Sequence, residues 1–327
     1  MTIPVIHSFH AAFPQIQLSV LTKRQFAPLF KIIGVEAIIV ETKNEHKGIL
    51  GLLKLFRQLK KHHGTIDAIA DLHNVLRSNV LRVLFKISGN KTAVINKGRN
   101  ELKTLTRSTN KIMRPLPTRF EKYKEVFEQL GFAFALNFTS LFKSLPVLDA
   151  GILKYSGEKT QKWIGIAPFA AFSPKIYPLE KMKWLVRELN QDPRNKIFFF
   201  GGGPFETKAL DEWEQEFGGS VSMSGKSDLQ TELSLIAHLD VMVAMDSANM
   251  HFASLVNIPV ISIWGATHPY AGFVAWGQKT SSQLQTDLFC RPCSVYGNVP
   301  CYRGDHACMN ELPVSLIVEH LLNEIQL

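Results

Sequence analysis

No apolar run in the 327-residue sequence reaches the roughly 18–20 residues that a bilayer-spanning helix needs. The N-terminal stretch "MTIPVIHSFHAAFPQ" also lacks the charged, apolar and small-residue regions of a secretory signal, so the expected compartment is the cytoplasm. Strict GxGxxG is missing: in "FFFGGGPFE" (198–206), Phe205 and Glu206 follow Gly203-Pro204, which leaves a dinucleotide dehydrogenase without its fingerprint. Internal repeats and low-complexity tracts are absent. Cysteine is scarce: only four occur, all between Cys290 and Cys308.

What is present is the composition of a globular protein, 46% hydrophobic and 20% charged. Single cores stop growing near ~250–300 residues, so this length suits two domains. Bases outnumber acids, 37 to 28, giving a net charge of +9. Much of the excess lies in 46–63 ("HKGILGLLKLFRQLKKHH") and 91–111 ("KTAVINKGRNELKTLTRSTNK"). Such runs are either solvated faces or surfaces for anionic partners.

Short β-branched or aromatic runs alternate with helical patterns in both halves, the signature of βαβ units and parallel sheets. Strands are expected at 16–22, 35–41, 66–72 and 92–96, with a helix over 48–62. The pattern weakens after 106, and 144–161 reads as loop and linker, which puts a domain boundary near 155. A second alternation follows, with strands at 163–170, 196–202, 241–246 and 259–265. The expected fold is α/β, with two doubly wound Rossmann-like domains, 1–155 and 156–327. The amphipathic terminal helix is a candidate to pack back on the first domain. Such domains bind ligands at the carboxyl ends of their strands.

Three strand ends carry chemistry. In "AMDSANMHFASLV", Asp246 ends a strand, Ser247-Ala248 turn into a helix, and His251 lies one turn in. Free N–H groups at a helix start favour a phosphate, and Ser247 and His251 are placed to donate to it. The competing reading is that Asp246 or Ser247 merely caps the helix. In "APFAAFSPKIYP", Lys175 stands in a loop where an ammonium can reach a diphosphate as a point charge. In "FFFGGGPFE", Gly202 and its neighbours let backbone approach a ligand closely.

The segment "MDSANMHFASLVNIPVISIWGATHP" resembles the D-[ST]-G-x-x-H-x-A-x-x-x-x-x-P-x-[IV]-x-[LIV]-[FYW]-G-x-T-x-P block of glycosyltransferase family 9, the ADP-heptose:lipopolysaccharide heptosyltransferases. "KIYP" (175–178) is similar to the family's K-x-W-P. "GGGPFE" also fits, and "DLHNVLRS" (71–78) is similar to D-x-x-x-x-x-[KR]-S. The resemblance runs over nearly the whole chain. It implies a GT-B fold with the two domains facing a cleft, the first binding the acceptor and the second the donor. It implies inverting transfer of a heptose from ADP-heptose to a lipopolysaccharide-core glycolipid, with no cofactor needed for the chemistry. On matched positions, Asp246, Ser247, Ala248, His251, Glu206 and Gly202 would bind the donor, Glu206 on its nucleoside. Lys175 would neutralise the leaving diphosphate, and Arg77 would face the acceptor. An anionic glycolipid acceptor gives the basic runs a purpose at the inner face of the inner membrane, with the protein peripheral there.

The sequence departs from the family pattern. Ala248 replaces a glycine, which matters only if the position needs a positive φ. Ala170 and Ala171 replace frequent hydroxyl residues. The opening strand and Gly-Asp loop, whose aspartate is the family's expected general base, have no counterpart; His10 and Asp71 are expected near that gap, and neither is read as a substitute base. Either this start lies downstream of them, or a base has been lost and the chain is a non-catalytic sugar-nucleotide or glycolipid-binding protein. Nucleic acid as partner has only the charge behind it, since no recognition motif is present.

Cys290, Cys293, Cys301 and Cys308 have the spacing C-x2-C-x7-C-x6-C. In a cytosolic protein this reads either as a structural zinc site of four thiolates or as plain thiols or disulfides in a loop.

Overall fold

A computed structural model describes residues 1–326. The chain forms two compact units, one of residues 1–99 and 117–138, the other of 100–116 and 139–327.

The first unit begins with helix α1 (Ile3–Ala12), not foreseen from the sequence. Pro4 suits a first helical turn, where its missing N–H costs nothing. Ile3, Val5, Ile6 and Phe9 are buried, and the Ser8 hydroxyl donates to the Pro4 carbonyl at 2.7 Å while accepting the Asn137 N–H at 3.0 Å. Then come β1 (Ser19–Thr22), α2 (Ala27–Ile32), β2 (Glu36–Ile39), α3 (Gly48–His63), β3 (Ala68–Asp71), α4 (Leu76–Ile87) and β4 (Lys91–Val94). These strands fall inside the expected ranges apart from the first residue of β4. They pair in parallel as two separate two-stranded sheets, β1 with β2 and β3 with β4. Most of their residues are half-exposed, although Leu52, Leu55 and Leu59 of α3 and Leu81 and Phe85 of α4 make a core against their Ile38 and Ile69.

Helix α5 (Arg99–Thr106) leads out of this unit and α6 (Arg119–Gln129) belongs to it again. The boundary read near residue 155 and the compact units therefore differ. Leu102 and Leu105 of α5 bury against Ala271, with Leu116 and Tyr270 beside them, which ties 100–116 to the second unit. In the segment read as a linker, α7 (Ala150–Ser156) forms because Asp149 accepts the Ile152 N–H at its start and Gly157, at φ +61°, ends it.

The second unit continues with β5 (Lys162–Ala167), α8 (Leu179–Asn190), β6 (Asn195–Phe199), α9 (Pro204–Glu216) and β7 (Val221–Ser222). It closes with α10 (Leu229–Ile236), β8 (Val241–Met245), α11 (Ala248–Leu255), β9 (Val260–Trp264), β10 (Gln283–Gln285), α12 (Ala307–Asn310) and α13 (Val314–Gln326). One six-stranded, wholly parallel sheet results, ordered β10-β9-β8-β5-β6-β7. β8 and β9 are buried at every residue, as parallel strands covered by helices on both faces must be. The apolar face of α13, with Ile317 and Leu321, lies in the same core as β8, β9 and α8. The terminal helix thus packs within the second unit, because its buried side chains complete that core. From β5 the chain winds outward through β6 and β7, then returns to β8 on the other side and winds through β9 and β10. The carboxyl ends of β5 and β8 therefore flank the point where strand order reverses, the usual ligand position in such sheets.

Candidate active site

Lys175 and Asp246, 71 positions apart in sequence, meet at that reversal. β5 runs into a 3₁₀ turn, Ser173–Lys175, and β8 runs directly into Asp246. The Lys175 Nζ lies 2.9 Å from the Asp246 Oδ2, with both side chains about nine-tenths buried. The Thr267 hydroxyl, just beyond β9, donates to the same oxygen at 2.8 Å. The Lys175 turn is fixed on both sides: the Pro174 carbonyl accepts the Ala266 N–H at 3.2 Å, and the Tyr177 hydroxyl donates to the Leu312 carbonyl at 2.7 Å. Burial pushes the Tyr177 phenol up to about 12, so it stays a donor.

This geometry removes the plain-capping reading of the helix start. The Asp246 carboxylate is turned to Lys175 and Thr267 rather than to α11, and Ser247, at the N-cap position, makes no side-chain cap bond. Among the described residues, the Ser247 Oγ and the His251 Nδ1 are buried without a hydrogen-bond partner. An uncapped eight-residue helix start with two unspent polar atoms and an ammonium alongside is fitted to an anion. Burial, reinforced by the Lys175 ammonium, pushes the His251 imidazole down to about 3, so it meets a ligand neutral. Ala248 is helical and is not among the residues with positive φ, so the missing glycine carries no strain here.

Gly202 and Glu206 mark the adjacent strand end. The Glu206 carboxylate, in the first turn of α9, accepts the Gly202 N–H at 2.7 Å, so part of its role is to hold the glycine turn. Gly202 has open space where a Cβ would stand. Phe205 and Phe169 bring this turn beside the β5 end, with ring centroids 6.2 Å apart.

In the first unit, Arg77 is exposed in the first turn of α4. Asp71, at the end of β3, is buried and committed: it accepts the His73 and Asn74 N–H groups and faces Arg82 at 3.4 Å. It is therefore not a free base. His10 lies in α1, half-buried.

All four cysteines are free thiols. Burial pushes the Cys308 thiol up to about 11, and burial with the neighbouring Cys290 raises Cys293. Among the described residues, only Glu36, His62 and His63 bring three metal-competent atoms within 4.8 Å of one another. The cysteine sulfurs do not, so as folded here they form no assembled four-thiolate site.

Sequence reasoning missed Thr267, although it stands in the quoted "GATHP", and Arg291. The Arg291 guanidinium, only 2% exposed, donates to the carbonyls of Gly265, Thr267 and Thr286. It lashes the cysteine loop to the end of β9.

The chain is similar to known proteins over nearly its whole length. The chain shares the fold of GT-B glycosyltransferases: an E. coli ADP-heptose lipopolysaccharide heptosyltransferase II superposes with a TM-score of 0.72 at 17% identity, covering 99% of this chain and 94% of that one. An E. coli heptosyltransferase solved with ADP gives 0.68 at 16% identity, covering 99% and 95%. Residues 52–300 match glycosyltransferase family 9 (heptosyltransferase), and the chain belongs to that family. In sequence it is 24% identical over 331 residues to a Campylobacter jejuni lipooligosaccharide heptosyltransferase 2, covering 99% of this chain and 93% of that protein.

The buried histidines set a pH dependence. Burial also pushes His268 down to about 4. In the unfolded chain both imidazoles titrate near 6.5, so below that pH the unfolded state takes up protons that the native state refuses. Stability is therefore full above about 6.5 and falls as pH drops toward the native values. Replacing His251→Gln removes one such group and should flatten the decline by up to about 1.4 kcal/mol per pH unit. Urea unfolding of both proteins between pH 4.5 and 6.5 checks this; parallel curves would contradict it.

Proposed function

We propose that the protein transfers a heptose from ADP-heptose to a sugar of the lipopolysaccharide core, with inversion at the anomeric carbon. The observation that carries the reading is the Lys175–Asp246 pair beside the uncapped start of α11 at the strand-order reversal. Departure of ADP develops negative charge on the diphosphate. Lys175 meets that charge as a point cation, exchanging Asp246 for phosphate oxygens. The first N–H groups of α11, Ser247 and the neutral His251 donate hydrogen bonds to it. Preorganised donors aimed at developing charge lower the barrier without reorganisation, and one such donor is worth roughly 10²–10³ in turnover. Ala248 lets the phosphate approach the helix start, while Gly202 and Glu206 hold the nucleoside on the neighbouring strand end.

The second unit is then the donor domain and the first the acceptor domain. Supporting this, Lys23 follows β1, His73 and Arg77 follow β3, and Lys97 follows β4, all at carboxyl strand ends. Burial, Lys97 and the nearby Arg77 and Lys23 lower the His73 imidazole, while Lys97 is lowered by burial, Arg99 and Arg119. The Lys23, Arg77 and Lys97 cations, with the neutral His73 among them and Asp71 as their carboxylate, suit the anionic sugars of a core glycolipid. Among the described residues, no helix is long and apolar enough to cross a membrane. Helix α3 instead exposes Lys54, Arg57, Lys60 and Lys61, with Ile49 and Leu50 bare at its start, a combination that suits an anionic membrane surface. Structural zinc at the four cysteines would require their sulfurs to draw together. Its support is the donor set itself, with Lys111 and Arg291 close by to offset thiolate charge. Metal analysis of the purified protein, finding one zinc that Cys293→Ser removes, would establish it; a metal-free protein of equal stability would dismiss it.

Calorimetric titration tests the donor. ADP is expected to bind more tightly than UDP or GDP, and Lys175→Ala should weaken ADP at least tenfold. A preference for UDP would remove the heptosyltransferase assignment. For the membrane surface, charge reversal at Lys60, Lys61 and Lys97 should abolish cosedimentation with anionic liposomes; unchanged sedimentation would count against it.

A further inference from the structure

We infer that Gly297, in the cysteine loop, is a positioning residue for Lys175; the inference rests on the reading of Lys175 as the group that receives the leaving diphosphate. Gly297 is buried at φ +77°, and a Cβ built on it would overlap the Cγ and Cδ of Lys175, closer than real Cβ atoms approach any neighbour. The same Cβ would stand 3.7 Å from the Thr267 methyl. The aliphatic stem of Lys175 therefore lies against the bare backbone of Gly297, with Thr267 beside it and Asp246 at its tip.

The glycine is itself held. Its N–H donates to the Ser294 hydroxyl at 2.8 Å, and Ser294 is buried. The Cys293 N–H donates to the Ala266 carbonyl at 2.8 Å. Arg291 clasps the carbonyls of Gly265 and Thr267, and Lys111 donates to those of Cys290 and Pro292. The loop is thus anchored to residues 265–267, the segment that also supplies Thr267 to Asp246 and the Ala266 N–H to Pro174. A long, flexible ammonium side chain gains a fixed course from this wall, which limits the entropy lost when it meets a phosphate.

Gly297→Ala fills the channel, and Gly304→Ala is its control. Gly304 lies in the same loop at φ +79° with nothing within 4 Å of its Cβ position, so it carries the backbone strain without the collision. Gly297→Ala should lower kcat by about 10²-fold, the scale for displacing a catalytic group by an ångström. Gly304→Ala should stay near wild type. In a Lys175→Ala background, Gly297→Ala should add little, because the stem it displaces is gone. Equal losses in both backgrounds, or a wild-type kcat for Gly297→Ala, would overturn the inference.

Two further measurements keep the test independent of turnover. If Gly297→Ala is too unstable to assay, the melting temperature it loses should be much smaller in a Lys175→Ala background than in the wild type, whatever Lys175→Ala itself costs; an equal loss in both backgrounds overturns the inference. If Lys175→Ala leaves turnover unchanged, the leaving-group reading fails, and the crystal structure of Gly297→Ala decides this one. An ammonium displaced from Asp246 supports positioning, and an undisturbed pair refutes it.

Discussion

The contact between Lys175 and Asp246 organises the second unit's binding face. Neither charge is stable alone in so enclosed a place: an unpaired buried ion carries a desolvation penalty of several kcal/mol, and removing one partner of such a pair typically costs about 3–5 kcal/mol. The pair exists only because the sheet reverses its winding between β5 and β8, which delivers two loops from opposite directions to one point. What surrounds it follows from the same constraint. Thr267 shares the carboxylate, Pro174 and Tyr177 fix the turn, and α11 begins without a cap because the nearest acid is already engaged.

The two units meet the physics of parallel sheets differently. In the second, β5, β8 and β9 are almost wholly buried, and the helices bury Met182, Leu185, Ile317 and Leu321 against them. In the first, paired strands of four residues keep half-exposed side chains and one strand neighbour each. Fewer buried contacts around exposed backbone bonds mean lower local opening energies, so amide exchange belongs chiefly to this unit. On the proposed function, the more buried second unit would hold the nucleotide and the more open basic unit the charged acceptor.

Much of this was legible in the sequence. Runs such as "VMVAMD" and "PVISIWG" announce covered parallel strands, and the polar turn between them announces a helix start. Whether that start was capped was not legible, because it turns on which way the Asp246 carboxylate points, and Lys175 decides that from 71 positions away. Helix α1 was missed because its burial depends on partners such as Asn137 near the far end of the unit. The segments 100–116 and 139–155 have weak local periodicity, and only contacts such as Leu105 with Ala271 assign them. Nothing local to Arg291 shows that three backbone carbonyls receive its guanidinium. For the cysteines, spacing left both the zinc and the plain-thiol readings open, because it does not fix how far apart the folded loop holds the sulfurs.

The most direct test of the account is a crystal structure with ADP bound. It should place the diphosphate against the first N–H groups of α11, within hydrogen-bond distance of the Ser247 Oγ and the Lys175 Nζ, with that ammonium drawn from Asp246 toward the phosphate. A diphosphate bound elsewhere, with the Lys175–Asp246 pair intact and α11 untouched, would contradict it.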